Sequence, residues 1–551
     1  MSRPQVPDAL DNGRANTQPH DSMKKSLSPQ SRRTPATLGL GLALACASVL
    51  AAQAQDYTDV KPYLVPVTTD YAIQPLLSVG DQLPNTSDAS RTYQMVGIPD
   101  GLGAHRGRGN STVLLMNHEF GPTVISQPNV GETRLRGAFV SRFILDRKAR
   151  VLSGEVAYDK IVDESTGIVY PPADETNTTR GFGRFCSGDL VWKNAGFDRP
   201  IYFPGEEVGA SDSFDTKGGL AFALFDREIH SLPKLGRFPW ENTLVRPVPG
   251  AQTVIMLMED GPAGPESQLS MYVGTKSKAK NASVLSRNGL DTGKFYAFRS
   301  TTPGQTTEVN YQSGSITGQW VEIPGVENLT DVQLEAALDA QGAFGFIRTE
   351  DGAWSKTDKN LFYFVTTGGS PGNVLGRGYE LKLNPSDVLG PCTLNVIYNG
   401  DTIDAAGGDI AFSPDNVDTS KRYLMIQEDG TSSTRPKMAE RARDGSIWRL
   451  DLRNGFAPKR VAELNPPGTG RGPAVPPSNV RPLPPPVGPG VWESSGIIDS
   501  SEFYGDDSWI TIVQAHGPSL APAVGTVEDG QLLLMLPTNV RINGSDEDDD
   551  D

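Results

Sequence analysis

The 551-residue chain sets 66 Asp and Glu against 50 Lys and Arg, a net charge of −16, and carries 59 Gly and 43 Pro with 37% hydrophobic residues. This is the composition of a folded, turn-rich protein, not of a disordered one. Its acidity makes nucleic acid and anionic membranes poor partners and suits hard cations such as Ca²⁺, which take oxygen ligands.

The segment before Tyr57 carries Lys24, Lys25, Arg32 and Arg33, then the apolar run Leu38 to Leu50, then Ala52-Gln53-Ala54. The pattern predicts a secretory signal over residues 1–54, with Met23 as an alternative start. The "SRRT" at Ser31 to Thr34 points to twin-arginine export, although Pro35 stands where an apolar residue is usual. Its cleavage removes six basic and three acidic residues and takes the net charge from −16 to −19. The apolar run is too short for a membrane span of about 20 residues, so a periplasmic or secreted monomer with no membrane partner is expected.

From Tyr57 to Pro537 short apolar or alternating runs, such as "STVLLMNHE", "LAFALFD", "NLFYFVTTGG" and "DSWITIVQAHG", are separated by Gly, Pro, Asn and Asp. These are strand and turn signals. One helix is predicted at Leu329 to Gly342, capped by Thr330 or Asp331. The fold class is therefore all-β. A chain this long is too large for one sandwich and fits a β-propeller of six blades over residues 55–540, with a Pro/Gly-rich insertion at 464–490 and a disordered acidic tail at 541–551.

Four strand-like runs end in Glu-Asp-Gly, at Glu259, Glu350, Glu428 and Glu528. Spacings of 91, 78 and 100 residues suggest about two blades per step. Carboxylates at equivalent strand ends would converge on the axis of a propeller and form a polyvalent metal site. The fourth copy, in "VEDGQLLLMLP", reads as a plain turn. Further candidates are Asn117 and Glu119 in "LLMNHEFG", Cys186 in "GRFCSGDL", Glu206 and Glu207 in "IYFPGEEVG", Glu241 in "GRFPWEN", and Arg348 two residues before Glu350. On a strand that spacing would put Arg348 and Glu350 on one face. A guanidinium beside metal carboxylates suits phosphate esters, since it takes phosphate oxygens bidentately. The sequence holds no G-x-S-x-G elbow, no H-x-x-x-H or C-x-x-C pair and no phosphate loop, which leaves oxygen-ligated metals. Cys186 and Cys392 are open to a disulfide, or Cys186 to a thiolate ligand.

The order of "NHE", "CSG" followed by "EE", "GRFPWE", "RTEDG" and Asp415-Asn416 ahead of "LMIQEDG" resembles the PhoX-type alkaline phosphatases, of which this would be a divergent member. The resemblance implies a six-bladed propeller with a central cluster of iron and calcium (Fe³⁺ and Ca²⁺) and a small phosphate ester as substrate. It implies that Cys186 ligates iron in place of the family's "CAGG", and that Glu206 or Glu207 is the acidic pair that follows. Glu241 matches the end of "GRFxHE", with Trp240 replacing histidine. Glu259 and Asp260 match the next acidic strand end, Glu428 and Asp429 a later one. Arg348 and Glu350 match "RPE", with Thr349 replacing proline, and the arginine would bind the phosphoryl group. Asn117, placed with it as catalytic, and Glu119 match "NHE". The alternative is a calcium-stabilised propeller that binds a partner and catalyses nothing.

Overall fold

In the computed structural model, which describes residues 58–262, 264–467, 469, 487–516 and 525–540, the apolar runs pair as antiparallel strands grouped in six blades. The predicted signal, most of the Pro/Gly-rich insertion and the acidic tail lie outside these residues. The inner strands of blades one to six are Pro99–Arg106, Phe185–Val191, Trp240–Val245, Thr349–Trp354, Pro414–Thr419 and Glu493–Asp499. Each packs against the next, and the sixth against the first, so they ring a central channel.

The second strand of each blade explains the continuous apolar runs. Gln252–Glu259, Leu361–Thr366, Tyr423–Glu428 and Trp509–Ala515 are buried on both faces after their first residue or two. A strand sandwiched between two neighbouring blades has no solvent side, so it loses alternation. Farther out alternation returns: Ser315–Ile323 exposes and buries successive residues. The core is accordingly divided among the interfaces between blades. Phe203 and Ile201 of blade two, for instance, share a cluster with Ile255 and Leu257 of blade three.

Two departures from plain four-stranded blades matter. Blades three and four fuse at their outer edges, where Ser315–Ile323 pairs with Cys392–Asn399 to give one nine-stranded sheet. Blade six is closed by the N-terminal strand Tyr71–Ser78, which pairs with Asp529–Pro537, and Leu64–Pro66 completes blade five beside Ala457–Leu464. The helix forms at Asp331–Ala340, with Thr330 and Gln333 in a capping box. Successive Glu-Asp-Gly endings fall in blades three, four, five and six, so each step spans one blade, not two. Blades run longer than the usual ~40 to 50 residues because insertions lie between their strands.

Candidate metal centre in the propeller channel

Each blade enters the channel in the same way. The inner strand begins with one residue paired to the last residue of the second strand, and then bulges: Pro99 with His118, Phe185 with Glu206, Trp240 with Glu259, Thr349 with Thr366, Pro414 with Glu428. A bulge re-aims the side chain beside it. The residue after each of those inner-strand positions is Asp100, Cys186, Glu241, Glu350 or Asp415, all buried. The residue after each second-strand end is Glu119, Glu207, Asp260, Thr367 or Asp429, and its N–H donates to the carbonyl of Ile98, Arg184, Pro239, Arg348 or Ser413 at 2.9 to 3.0 Å. In blade six Glu493 and His516 occupy the corresponding places. The scaffold thus presents two side chains per blade.

Four of the residues whose carbonyls accept these bonds, Ile98, Arg184, Arg348 and Ser413, have left-handed backbones with φ between 41° and 57°. Non-glycine residues hold that conformation at a cost of order 1–3 kcal/mol, and such strain clusters at functional sites. Two of these positions carry the channel's arginines. Arg348 therefore precedes its strand instead of lying on it, yet its Nη2 is 3.3 Å from Glu350.

The side chains line a pocket of about 270 Å³ that includes Glu119, Cys186, Glu207, Glu241, Glu350 and Asp429, with Arg348 at its wall. Their donor atoms fall into four overlapping groups, each within 4.8 Å: Asp100, Glu119 and Cys186; Cys186, Glu207 and Glu241; Glu241, Glu350 and Asp415; Asp415, Asp429 and Glu493. Cys186, Glu241 and Asp415 each belong to two groups. Facing these acids are Arg184, which reaches Glu119 at 2.6 Å and Glu207 at 2.8 Å, Arg348, and His516. Burial first, and then neighbouring acids, push Asp100, Glu241 and Asp415 well above the usual carboxylate range, and Asp429 to about 7. Burial and Asp100, 3.5 Å away, push the Cys186 thiol up in the same way. Burial opposes charge on His516, but Glu493 and Glu528 hold it protonated to about 10.

So many buried acids with so few protein cations call for bound cations. The donor set fits them. Asp100 Oδ1 and Asp415 Oδ1 are buried and accept no hydrogen bond, which leaves lone pairs free for a hard ion. A polar layer beneath fixes the ligands: Gln514 Nε2 donates to Asp100 at 2.7 Å and Glu119 at 3.0 Å, while Ser187 bonds Glu241 and accepts from Asn416 at 2.6 Å.

Other sequence candidates sit elsewhere. Glu206, Glu259 and Glu428 point away from the channel and satisfy backbone. Glu206 accepts from Gly183, Phe214 and Leu220, Glu259 from Gln268, and Glu428 from Phe412 and from Arg443 at 2.6 and 2.9 Å. They end their second strands, one residue before the channel position, and the strand period turns them the other way. In Glu350-Asp351 the order inverts, and Asp351 binds Asn242 and the Val417 N–H. Asp260 grips Arg348 at Nε and Nη2, at 2.9 and 2.8 Å. Asn117 donates to the Cys186 and Ser187 carbonyls, at 2.7 and 3.1 Å, and so positions the cysteine's backbone. Glu528 holds His516. Both Cys186 and Cys392 are free and buried.

This division is testable: Glu428→Gln leaves Arg443 with the partly exposed Asp409 as its remaining carboxylate and is expected to destabilise the fold by roughly 3 kcal/mol in urea titration while metal content stays unchanged. Loss of metal would place Glu428 at the centre after all.

Comparison with solved structures supplies a match with TM-score 0.58 and 15% identity over 86% of this chain and 97% of the other. That structure is PhoX of Pseudomonas fluorescens, in complex with vanadate, a transition state analogue. The chain shares the fold of PhoX. Looser matches, to a luciferin-regenerating enzyme (TM-score 0.30, 9% identity, 81% and 94% coverage) and to a protein of unknown function from Dyadobacter fermentans (0.34, 6%, 84% and 99%), carry no argument beside PhoX. No family model and no curated protein sequence matches. Sequence reasoning missed Arg184, Asp100, Glu493 and His516, and gave Asp415 only as part of the Asp-Asn motif, with no role as a ligand. Asp100 and Asp415 each follow a proline, and only the repeated bulge shows that they equal Cys186 and Glu241.

Proposed function

We propose that the protein is an exported, metal-dependent phosphatase that hydrolyses small phosphate esters in the propeller channel, acting as a periplasmic or secreted monomer. The observation that carries the reading is the ring of overlapping donor groups with Arg348 on its wall. Cys186, whose sulfur suits iron, would hold Fe³⁺ with Asp100, Glu119, Glu207 and Glu241; the all-oxygen groups around Asp415 would hold Ca²⁺. Bound ions would supply Lewis-acid polarisation of the phosphoryl oxygens and acidify a water.

The chain's own residues supply the rest. Asp260 occupies Nε and Nη2 of Arg348, which fixes the guanidinium plane and leaves Nη1 to donate to a phosphoryl oxygen as charge develops there. Arg184, half exposed, stands where an anionic ester would enter past the carboxylates. The fold shared with PhoX, which was solved with vanadate, a transition state analogue, supports the same reading.

The test is elemental analysis of the exported protein together with p-nitrophenyl phosphate hydrolysis and its inhibition by vanadate. Iron and calcium with vanadate-sensitive turnover are expected. Calcium alone without turnover would move the protein to the binding class.

A further inference from the structure

Six cations gather at the far end of blade one, in a molecule that is otherwise acidic. Arg106 ends the inner strand and Arg108 sits in the turn that follows; Arg142 comes from Phe139–Leu145, and Arg147, Lys148 and Arg150 from the next hairpin. Two turns some forty residues apart thus flank an open groove of about 1180 Å³, and one lining residue, Asp146, is acidic. The groove is not the channel site. Asp100 and His105 lie five residues apart on one extended strand, about 16 Å at ~3.3 Å per residue.

Three of the cations are already neutralised. Arg142 pairs with Glu155 at 2.6 Å, Arg150 with Asp146 at 2.7 Å, and Arg106 with the Glu502 carboxylate at 3.7 Å. Arg108, Arg147 and Lys148 are exposed and make no ion pair among the described residues. Unpaired like charges held together by hairpin geometry repel one another, and an anion relieves that repulsion.

The shape and the chemistry narrow the anion. A compact single anion needs enclosing, buried donors, whereas Arg106, Arg142 and Arg150 are each about a third exposed and the others more so. A flat bilayer does not enter a concave groove. Single-stranded nucleic acid relies on a free aromatic face for its bases, but Trp192 carries the Lys193 ammonium 4.3 Å above its ring and packs edgewise with His105. Closely grouped arginines along an open groove favour a flexible chain of closely spaced phosphates without bases, whose oxygens guanidinium groups take bidentately. We propose that this groove binds a linear inorganic polyphosphate chain.

The test uses the full, metal-loaded protein and an end-labelled inorganic polyphosphate of defined length, read by fluorescence anisotropy. Binding is expected to weaken on the order of 10²-fold between about 50 and 200 mM salt, as contacts to several phosphates demand. The combined Arg108→Glu, Arg147→Glu and Lys148→Glu variant is expected to lose at least tenfold more; the three Gln substitutions, which read the same point should the Glu variant fail to fold, an intermediate amount. Unchanged affinity in these variants overturns the proposal. So does loss of binding in Glu241→Gln alone, which would place the polymer at the channel metals. An oligothymidylate of equal charge that bound as tightly would make the ligand a nucleic acid and overturn it too.

Discussion

Arg348→Ala is expected to lower kcat for p-nitrophenyl phosphate by roughly 10²–10³-fold, with KM changing much less and iron and calcium content unchanged. The arginine holds no ion, and its free Nη1 acts on charge that is largest in the transition state. Arg348→Lys should recover little, since an ammonium lacks the planar fork that Asp260 holds at two nitrogens while the third faces the phosphate. Weaker vanadate inhibition should accompany the loss. An equal fall in metal content would mean that the residue shapes the ligand cage, and full activity would exclude it from catalysis.

Substitution of a shared donor should do more damage than substitution of a terminal one. Glu241 and Asp415 each serve two adjacent groups, whereas Asp429 serves one. Glu241→Gln or Asp415→Asn is therefore expected to abolish turnover and to strip ions from both groups. Asp429→Asn is expected to empty the last group and leave any ion at Cys186 in place. Chelation of the wild type should expose the same dependence as stability, because ions that bind only the folded state at a thousand times their Kd contribute about 4 kcal/mol. A fall in Tm of several degrees follows, and calcium should restore it. Equal metal content across the three variants would show that the groups do not share ions.

The sequence displays the second strands best, because a strand with neighbours on both faces must be apolar throughout, and the "TVIMLMEDG" and "YLMIQEDG" runs show it. The inner strands are nearly silent. "PDGLGAHR" and "PDNVDT" have no apolar run to mark them as strands, yet they carry Asp100 and Asp415. Channel position is set by a pairing register and a bulge, which leave no mark on composition. Hence Glu428 and Asp429 look equivalent in sequence, although one locks Arg443 and the other faces the channel. Arg184 was overlooked because nothing in "GRFC" announces a left-handed backbone; its match with Arg348 exists only in geometry.

The pairing of Tyr71–Ser78 with Asp529–Pro537 also sets a timetable. Translation yields Asp100 among the first donors and Glu493 and His516 near the last, and the N-terminal strand must wait unpaired through all five blades between. A nascent chain can build single blades as it emerges, but it cannot own a finished ion cage before its C-terminal strands arrive. Any loading with ions would therefore follow synthesis, and a chain truncated even shortly before Asp529 would hold every donor side chain in a ring that cannot close.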